Sequence, residues 1–305
     1  MRQRAVGIRM LLCAVLLVCG GAVFAAAPAA SGPATKPTAD VRVMTFNIRL
    51  GTAKDGLNAW PLRKELLFRT VETFDPDLFG TQEVLPGQGE ELKARFARTH
   101  DFVGVPRNDG KTTGEMAAVL FRRDRFEKVR EGTFWLSETP EKIGSRGWDA
   151  ALPRVATWVE LRDKRNDGRK LLFLNTHFDH VGKKARVESA KLLRRRLVEL
   201  AGADAAVIVT GDFNSPQDSP AYKEILGAPG GPLRLVETFK EAHPSPTTRD
   251  FTFHGFTGEN KSASRIDWIL RSDRFETIRA DIDRTSENGR YPSDHFPVEA
   301  LVRWR

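Results

Sequence analysis

Cysteine is nearly absent from this chain: its 305 residues include only Cys13 and Cys19, and both lie close to the start. The remainder therefore has no disulfide, no thiolate nucleophile and no zinc–thiolate site. An export-competent chain without disulfides must be stabilised by its core, and residues 41–305 are enough for one large domain or two small ones. No internal repeat is visible, so a repeat architecture has no support.

The apolar run at residues 10–24 is too short to favour a membrane span. Arg2, Arg4 and Arg9 precede it, and small residues follow it at positions 25–27. This three-part pattern predicts a secretory signal peptide over residues 1–27. A linker rich in proline, alanine and threonine follows over 28–40, and the folded part of the chain is predicted over 41–305. We therefore expect an exported, periplasmic or extracellular protein with no stable membrane span, and a monomer.

Two alternatives for this N-terminal segment are a retained anchor helix and a lipoprotein signal. A lipoprotein needs a small residue before the modified cysteine, whereas Val18 precedes Cys19. A cleaved signal peptide is therefore the preferred interpretation.

Positive charge exceeds negative charge, but it is spread along the chain. The formal net charge of +8 favours anionic partners such as nucleic acid, phosphorylated glycan or acidic lipid. The densest basic cluster is residues 194–196, in a segment with helical periodicity. Such a cluster is more often a solvated helix face than a nucleic-acid groove, so charge alone does not select a partner.

The apolar pattern of residues 41–305 alternates between strand and helix periodicity, which indicates an α/β class. One helix is expected to begin with Ser219 as its N-cap and Pro220 at its first position. The predicted strands are 41–48, 77–83, 157–163, 170–178, 205–213, 265–272 and 296–304, with a strand–turn–strand over 117–127; the predicted helices are 66–74, 188–201 and 219–226.

Polar residues that do not belong in a core stand at or beside the ends of these strands. If the ends share one rim of a sheet sandwich, their side chains converge on one site. Singly, each has an alternative role in closing a turn or capping one. The residues are Asn47, Glu83, His177, Asp212, Asn214, Asp267, Asp294 and His295.

Such a group has the parts that hydrolysis of a phosphate ester needs: charge neutralisation, an oriented water and protonation of the leaving group. Glu83 offers an anionic oxygen and Asn47 a neutral one, both suited to Mg²⁺ or Mn²⁺. Asp212 could orient or deprotonate the water, and Asn214 could donate to a phosphoryl oxygen.

The two histidines, His177 and His295, could donate to phosphate or move protons. Asp267 and Asp294 are the carboxylates available to orient and charge those imidazoles. The pattern as a whole predicts a metal-dependent phosphate site.

Six segments carry a resemblance to a known family. They occur in the order "MTFNIR", "GTQE", "NTHFDH", "TGDFNSPQDSPAY", "SRIDWIL" and "YPSDHFPV". Together they resemble the endonuclease/exonuclease/phosphatase (DNase I-like) superfamily over residues 41–305, and the order makes the match specific. The resemblance implies a four-layer α/β sandwich, with two packed mixed β-sheets flanked by helices, and a phosphoric ester hydrolase that uses Mg²⁺ or Mn²⁺.

The resemblance also implies roles for individual residues. Asp212 matches the carboxylate that positions water, Asn214 the transition-state donor, and His177 a phosphate-contacting or acid histidine oriented by Asp267. Either His295 or Asp212 is the base. The implied catalytic residues are His177, Asp212, Asn214, Asp267 and His295, and the implied metal-side residues are Asn47, Glu83 and Asp294.

The substrate is less constrained than the chemistry. The apurinic endonucleases have tyrosine and asparagine where this chain has His177, which disfavours abasic-site repair. The intervening segments resemble a group of bacterial secreted hydrolases without a settled substrate. Trp148, Arg154, His180 and His254 are predicted to bind substrate, whereas the remaining loop tryptophans, Trp60 and Trp135, are expected to fill the edges of the sandwich.

Three functions remain open at this point. The first is an exported phosphodiesterase or phosphatase acting on a sugar, glycan or lipid headgroup. The second is an extracellular nuclease that cleaves DNA or RNA. The third is an inactive phosphoester-binding module, which predicts the loss of Glu83, Asp212, Asn214 or His295; all four are present.

Overall fold

The computed structural model describes residues 40–203, 205–262 and 264–305. The predicted signal peptide and the linker before Asp40 lie outside the described residues, so both stay predictions. None of the described helices has the length and apolar character needed to cross a membrane.

Twelve strands form two six-stranded sheets in the described part of the chain. Sheet 1 has the order β11-β12-β1-β2-β4-β3, and sheet 2 has the order β5-β6-β7-β8-β10-β9. The strands are β1 (Val41–Asn47), β2 (Leu78–Val84), β3 (His100–Val103), β4 (Met116–Arg122), β5 (Phe126–Trp135), β6 (Val155–Asp163), β7 (Arg169–His177), β8 (Val207–Asp212), β9 (Leu235–Glu237), β10 (Asp267–Ser272), β11 (Phe275–Ile282) and β12 (Val298–Trp304).

Both sheets are mixed, and helices cover their outer faces. Apolar side chains alternate along β1 between the two faces: Val43 packs in the cluster between the sheets, and Met44 in the cluster under the helix α1. On sheet 2, Leu193 of α3 packs with Leu172 of β7. The helices are α1 (Trp60–Phe74), α2 (Pro86–Phe96), α3 (Lys183–Ala201), α4 (Pro220–Leu226) and α5 (Thr238–Ala242). The predicted four-layer α/β sandwich is confirmed.

Pairing within the sheets places the predicted site residues at corresponding levels. In sheet 1, β1 runs parallel to β2, with Asn47 opposite Gln82. In sheet 2, β7 is parallel to β8 with His177 opposite Asp212, and antiparallel β10 places Asp267 opposite Asp212 as well. The strand ends therefore deliver these polar side chains to one edge.

A buried polar network joins the two sheets beneath that edge. Asn175 of β7 donates from Nδ2 to the carbonyl oxygens of Thr81 and Ala118, both at 2.9 Å. Its Oδ1 accepts from Gln82 Nε2 at 2.7 Å and from the Thr210 hydroxyl at 3.0 Å. We call this network the polar seam.

Gly80 lets the sheets approach at the polar seam. A Cβ added to this glycine would lie 2.6 Å from Asn175 Oδ1 and would overlap the Thr210 hydroxyl oxygen. The absence of a side chain at this position is therefore required by close packing between sheets.

Some elements differ from the sequence prediction. Helix α3 begins at Lys183, five residues before the predicted start, and α4 begins as predicted, with the Ser219 hydroxyl accepting from Tyr222 N at 3.1 Å. The short or half-exposed elements β3, β9, β11, α2 and α5 were not predicted. Strand β11 shows the reason, since only Phe275 and Ala280 of its sequence "FETIRADI" are buried, and its apolar alternation is weak.

The basic cluster at residues 194–196 lies on α3. Arg194 donates to the carbonyl oxygens of Ile225, Leu233 and Pro232. Arg195 and Arg196 form ion pairs with Glu199, and Arg196 also pairs with Glu141. These contacts pair the three arginines with residues of their own helix and of neighbouring segments, in agreement with a solvated helix face.

Candidate active site

The sheet 1 half of the site is organised around the Glu83 carboxylate. Its Oε1 accepts from Asn47 Nδ2 at 3.0 Å, and its Oε2 accepts from Leu50 N at 2.9 Å. Asn47 Oδ1 in turn accepts from Arg49 N at 3.0 Å. Glu83 has a φ of 62°, where the pairing of β2 with β4 shifts register between Thr81 and Val84. This irregularity turns the Glu83 side chain out of the normal strand alternation.

Asp212 belongs to sheet 2 but is held from both sheets. Its Oδ2 accepts from Asn47 Nδ2 at 2.9 Å, and its Oδ1 accepts from Asn214 N at 2.9 Å. Asn214 has a φ of 46°, a conformation that asparagine tolerates better than most residues. Its Nδ2 lies 3.0 Å from His177 Nε2 and 3.0 Å from the Phe178 carbonyl oxygen. The two residues therefore face the same cavity from one tight turn.

Asp267 pairs with His295. Asp267 Oδ2 is 2.9 Å from His295 Nδ1, and His295 Nε2 is 3.9 Å from Asp212 Oδ2. His177 has its own contact, with Nε2 3.4 Å from Asp212 Oδ2. The expectation that Asp267 orients His177 was therefore wrong. The hydrogen bond to Asp267 places His295 beside the start of β10, and an isolated β-bridge joins His295 to Phe253.

Asp294 contacts Arg49 and Ser293. Its Oδ2 is 3.6 Å from Arg49 Nε, and its Oδ1 is 3.3 Å from the Ser293 hydroxyl. Ser293 also donates to the Asn47 carbonyl oxygen at 2.7 Å, which ties the segment before His295 to the end of β1. Burial raises the pKa of Asp294.

Burial and neighbouring charge act differently on the ionisable groups. Burial, with the positive charges of Arg154 and Arg107, lowers the pKa of His177 well below its usual value. Burial opposes protonation of His295 too, but the carboxylates of Asp267, Asp212 and Asp294 together outweigh it and raise the pKa of His295 to about 10. Burial, with the charge of Asp267, raises the pKa of Asp212 to about 7. The arrangement thus contains one neutral and one cationic imidazole beside a carboxylate.

Two groups of donors could hold a divalent cation. Asp212, Asp267 and His295 offer ligand atoms that all lie within 4.8 Å of one another. In this group the imidazole is engaged by Asp267 and protonated, and a protonated imidazole is a poor ligand. Glu83 and Asp294 both line the cavity and supply the hard carboxylate oxygens that Mg²⁺ and Mn²⁺ prefer, whereas Asn47 turns its Nδ2 to Glu83 and its Oδ1 to Arg49 N. This second group fits such an ion better.

Most of the predicted catalytic and metal-side residues line a cavity of about 350 Å³, whereas Asn47 and Asp267 are not among its lining residues; those that line it are Glu83, His177, Asp212, Asn214, Asp294 and His295. Arg154, predicted from the sequence, lies in its wall, with Nη2 3.0 Å from Nδ1 of the exposed His180. The wall also contains the pair Arg107 and Glu115, joined by two hydrogen bonds of 2.9 and 2.7 Å, which sequence reasoning missed. No periodic signal marks this pair, because both residues lie at the base of a loop closed by the hydrogen bond from Arg107 N to Glu115 O.

Two predicted substrate-binding residues are not among those lining the cavity. His254 is fully buried, stacks on Phe296 at 3.9 Å between ring centroids, and accepts from Gly258 N through Nδ1. Trp148 packs on the apolar cluster of sheet 2 and α3. Trp60 and Trp135 are buried, as expected for edge-filling residues.

Comparisons with known proteins agree with the fold and identify the family. The sequence profile of the endonuclease/exonuclease/phosphatase family matches residues 44–295. An endonuclease/exonuclease/phosphatase from Bacteroides vulgatus is 36% identical with a TM-score of 0.79, over 87% of this chain and 99% of that chain. A mannosyl-6-phosphatase of Bacteroides thetaiotaomicron VPI-5482 is also 36% identical, with a TM-score of 0.76, over 87% of this chain and 100% of that chain.

More distant similarity extends to curated proteins. Nocturnin of Drosophila melanogaster is 23% identical over 310 residues, covering 85% of this chain and 46% of that protein. The chain spans between 32% and 48% of the length of the curated relatives it matches. The family profile nevertheless covers most of this chain, and it does so over the residues that form the site. The chain therefore belongs to the endonuclease/exonuclease/phosphatase family, whose members hydrolyse phosphate esters.

Proposed function

We propose that this protein is an exported, divalent-metal-dependent phosphoesterase whose substrate is the phosphate ester of a sugar, glycan or lipid headgroup. The observation that carries the proposal is the Asn47 carboxamide, whose Nδ2 bonds to Glu83 at 3.0 Å and to Asp212 at 2.9 Å. These two bonds place the Glu83 carboxylate, which can bind a metal ion, beside the Asp212 carboxylate, which can accept a proton from water. The sugar-phosphate preference is supported by the similarity to the mannosyl-6-phosphatase, and export by the signal-peptide pattern at residues 1–27.

Glu83 and Asp294 would hold Mg²⁺ or Mn²⁺, with the Asn47 carboxamide orienting Glu83 through its Nδ2. When bound, the ion supplies positive charge that neutralises the phosphoryl oxygens. Asn214 Nδ2 and His177 donate to the phosphoryl group from the sheet 2 side. Asn214 Nδ2 contacts His177 Nε2, and His177 Nε2 contacts Asp212 Oδ2. These contacts hold both side chains in place before the substrate binds.

The geometry favours Asp212 over His295 as the proton acceptor. Its carboxylate is oriented by Asn47 and by Asn214 N, and it points into the cavity. His295 is held protonated by Asp267 and is therefore suited to donate to phosphate or to the leaving group. The water proton thus goes to Asp212, and His295 supplies the proton for the leaving oxygen.

The test is ester hydrolysis by the purified protein with Mg²⁺, with Mn²⁺ and with EDTA. The substrates are a panel of hexose phosphates, p-nitrophenyl phosphate, plasmid DNA and RNA. We expect turnover of sugar phosphates that requires the metal and falls by at least about 100-fold in Asp212→Asn. Arg186→Gln, altered outside the cavity lining, is the control and should keep its activity. Efficient DNA or RNA cleavage without sugar-phosphate turnover would replace this proposal with a nuclease, and no turnover at all would indicate a binding module.

A further inference from the structure

One wall of the cavity carries two buried guanidinium groups, Arg107 and Arg154, which are 7% and 4% exposed. We call these two residues the guanidinium corner. Each is held by a carboxylate. Arg107 binds Glu115 through both terminal nitrogens, and Arg154 lies with Nε 3.4 Å from Asp179 Oδ2.

Each guanidinium of this corner keeps one buried nitrogen without a hydrogen-bond partner among the described residues. These atoms are Arg107 Nε and Arg154 Nη1. A buried donor of a charged group without an acceptor is costly, by about 1–3 kcal/mol or more. Two such donors in one cavity wall indicate a ligand that brings its own acceptor oxygens.

The guanidinium corner also acts on the reacting side of the cavity. Arg107 and Arg154 line the same cavity as His177, Asp212 and Asn214. Burial, followed by the positive charges of Arg154 and Arg107, lowers the pKa of His177, whose Nε2 is 3.4 Å from Asp212 Oδ2. The corner is therefore placed next to the scissile phosphoryl group, rather than at a remote part of the substrate.

We propose that Arg154 and Arg107 bind a terminal non-bridging oxygen of the scissile phosphate, and that this contact makes the enzyme a phosphomonoesterase. The inference rests on the proposed function and adds the substrate's ester class. A monoester dianion has three non-bridging oxygens, so one remains for the corner after the metal side and the Asn214–His177 side are occupied.

A diester cannot use the corner in the same way. It has two non-bridging oxygens and a second alkoxy group, which carries no charge and would face two buried donors. In the monoester reaction, the water oxygen bonds to phosphorus and the bond from phosphorus to the ester oxygen breaks. That oxygen gains a proton and leaves as an alcohol, with inorganic phosphate as the other product.

The test compares two esters with the same leaving group, p-nitrophenyl phosphate and bis-p-nitrophenyl phosphate, with Mg²⁺ and with Mn²⁺. We expect the wild-type protein to have a higher kcat/KM for the monoester. In Arg154→Gln, kcat/KM for the monoester should fall by about 100-fold, because a charge-assisted contact is lost. For the diester it should change by less than about 3-fold. Arg154→Lys should lie between wild type and Arg154→Gln for the monoester.

Two controls separate specificity from loss of folding. Arg186→Gln removes a guanidinium that donates to the Asp179 carbonyl oxygen at 2.9 Å but does not line the cavity, and it should leave the ratio of the two kcat/KM values unchanged. Inhibition of the wild-type protein by inorganic phosphate, compared with dimethyl phosphate, needs no variant, and phosphate should bind more tightly.

A wild-type preference for the diester, or equal losses on both esters in Arg154→Gln, would overturn the inference and leave the phosphoesterase function standing. If neither ester nor any hexose phosphate is hydrolysed with either metal, the proposed function fails and the inference falls with it.

Discussion

Replacing Asn175 by leucine should destabilise the protein without changing the size of the side chain much. Asn175 makes four hydrogen bonds across the polar seam, between 2.7 and 3.0 Å long. Leucine removes all four hydrogen bonds and leaves their buried partners on both sheets without a hydrogen bond from this position. At about 1 kcal/mol for each lost bond, with about 1–2 kcal/mol regained from apolar burial, the net loss is about 2–3 kcal/mol. Urea denaturation followed by circular dichroism would measure it as a change in the free energy of unfolding.

Thr210→Val is the matched comparison, since it removes one bond of the seam, to Asn175 Oδ1 at 3.0 Å, and keeps the shape of the side chain. Its expected cost is about 1 kcal/mol. If Asn175→Leu costs no more than Thr210→Val, the seam does not stabilise the docking of the sheets, and the reasoning from buried hydrogen bonds is refuted.

Three further outcomes are expected. Gly80→Ala should lower the free energy of unfolding by at least about 1–3 kcal/mol in a urea titration, because its Cβ would overlap the seam; an unchanged midpoint would contradict the packing. Burial and the charge of Asp283 raise the pKa of Glu299 from 4.5 to about 8, so the folded state binds this proton more tightly than the unfolded state. The stability that protonated Glu299 contributes is complete below pH 4.5 and is lost as the pH rises to 8, by at most about 1.4 kcal/mol per pH unit. Thermal melts at a series of pH values should therefore show a melting temperature that depends less on pH in Glu299→Gln than in the wild type. Thr252→Val should lower kcat by about 10-fold while Thr252→Ser keeps it, since the Thr252 hydroxyl accepts from Ile266 N and Asp267 N at 3.1 and 3.3 Å; equal rates in both variants would show that this hydroxyl does not position Asp267.

The sequence was most informative where secondary structure and chemistry coincide. Apolar runs such as residues 205–209 end directly in polar residues, and the register of β7, β8 and β10 brings His177, Asp212 and Asp267 to one level. Periodicity and strand-end position are both local properties, so they can be inferred without coordinates. The family and the sandwich architecture followed from the same segments and are confirmed.

Contacts between distant loops could not be inferred in this way. Asp267 was assigned to His177, but in the structure it forms a hydrogen bond with His295. The loop at Phe253 also contacts His295, through an isolated β-bridge. Arg107 and Glu115 enter the cavity wall through a loop that has no strand or helix signal. Which carboxylate reaches which cation depends on tertiary packing, and one sequence contains little information about it.

The amide of Asn47 has a consequence for the way activity is acquired and lost. It belongs to sheet 1, yet it holds Asp212 of sheet 2 at 2.9 Å, so the carboxylates of the two sheets meet only after the sheets have docked. Hydrolysis is then a reporter of docking. Mild denaturant that separates the sheets should abolish turnover before far-ultraviolet dichroism records any loss of strand, and a newly synthesised chain should stay inactive until its two sheets have docked.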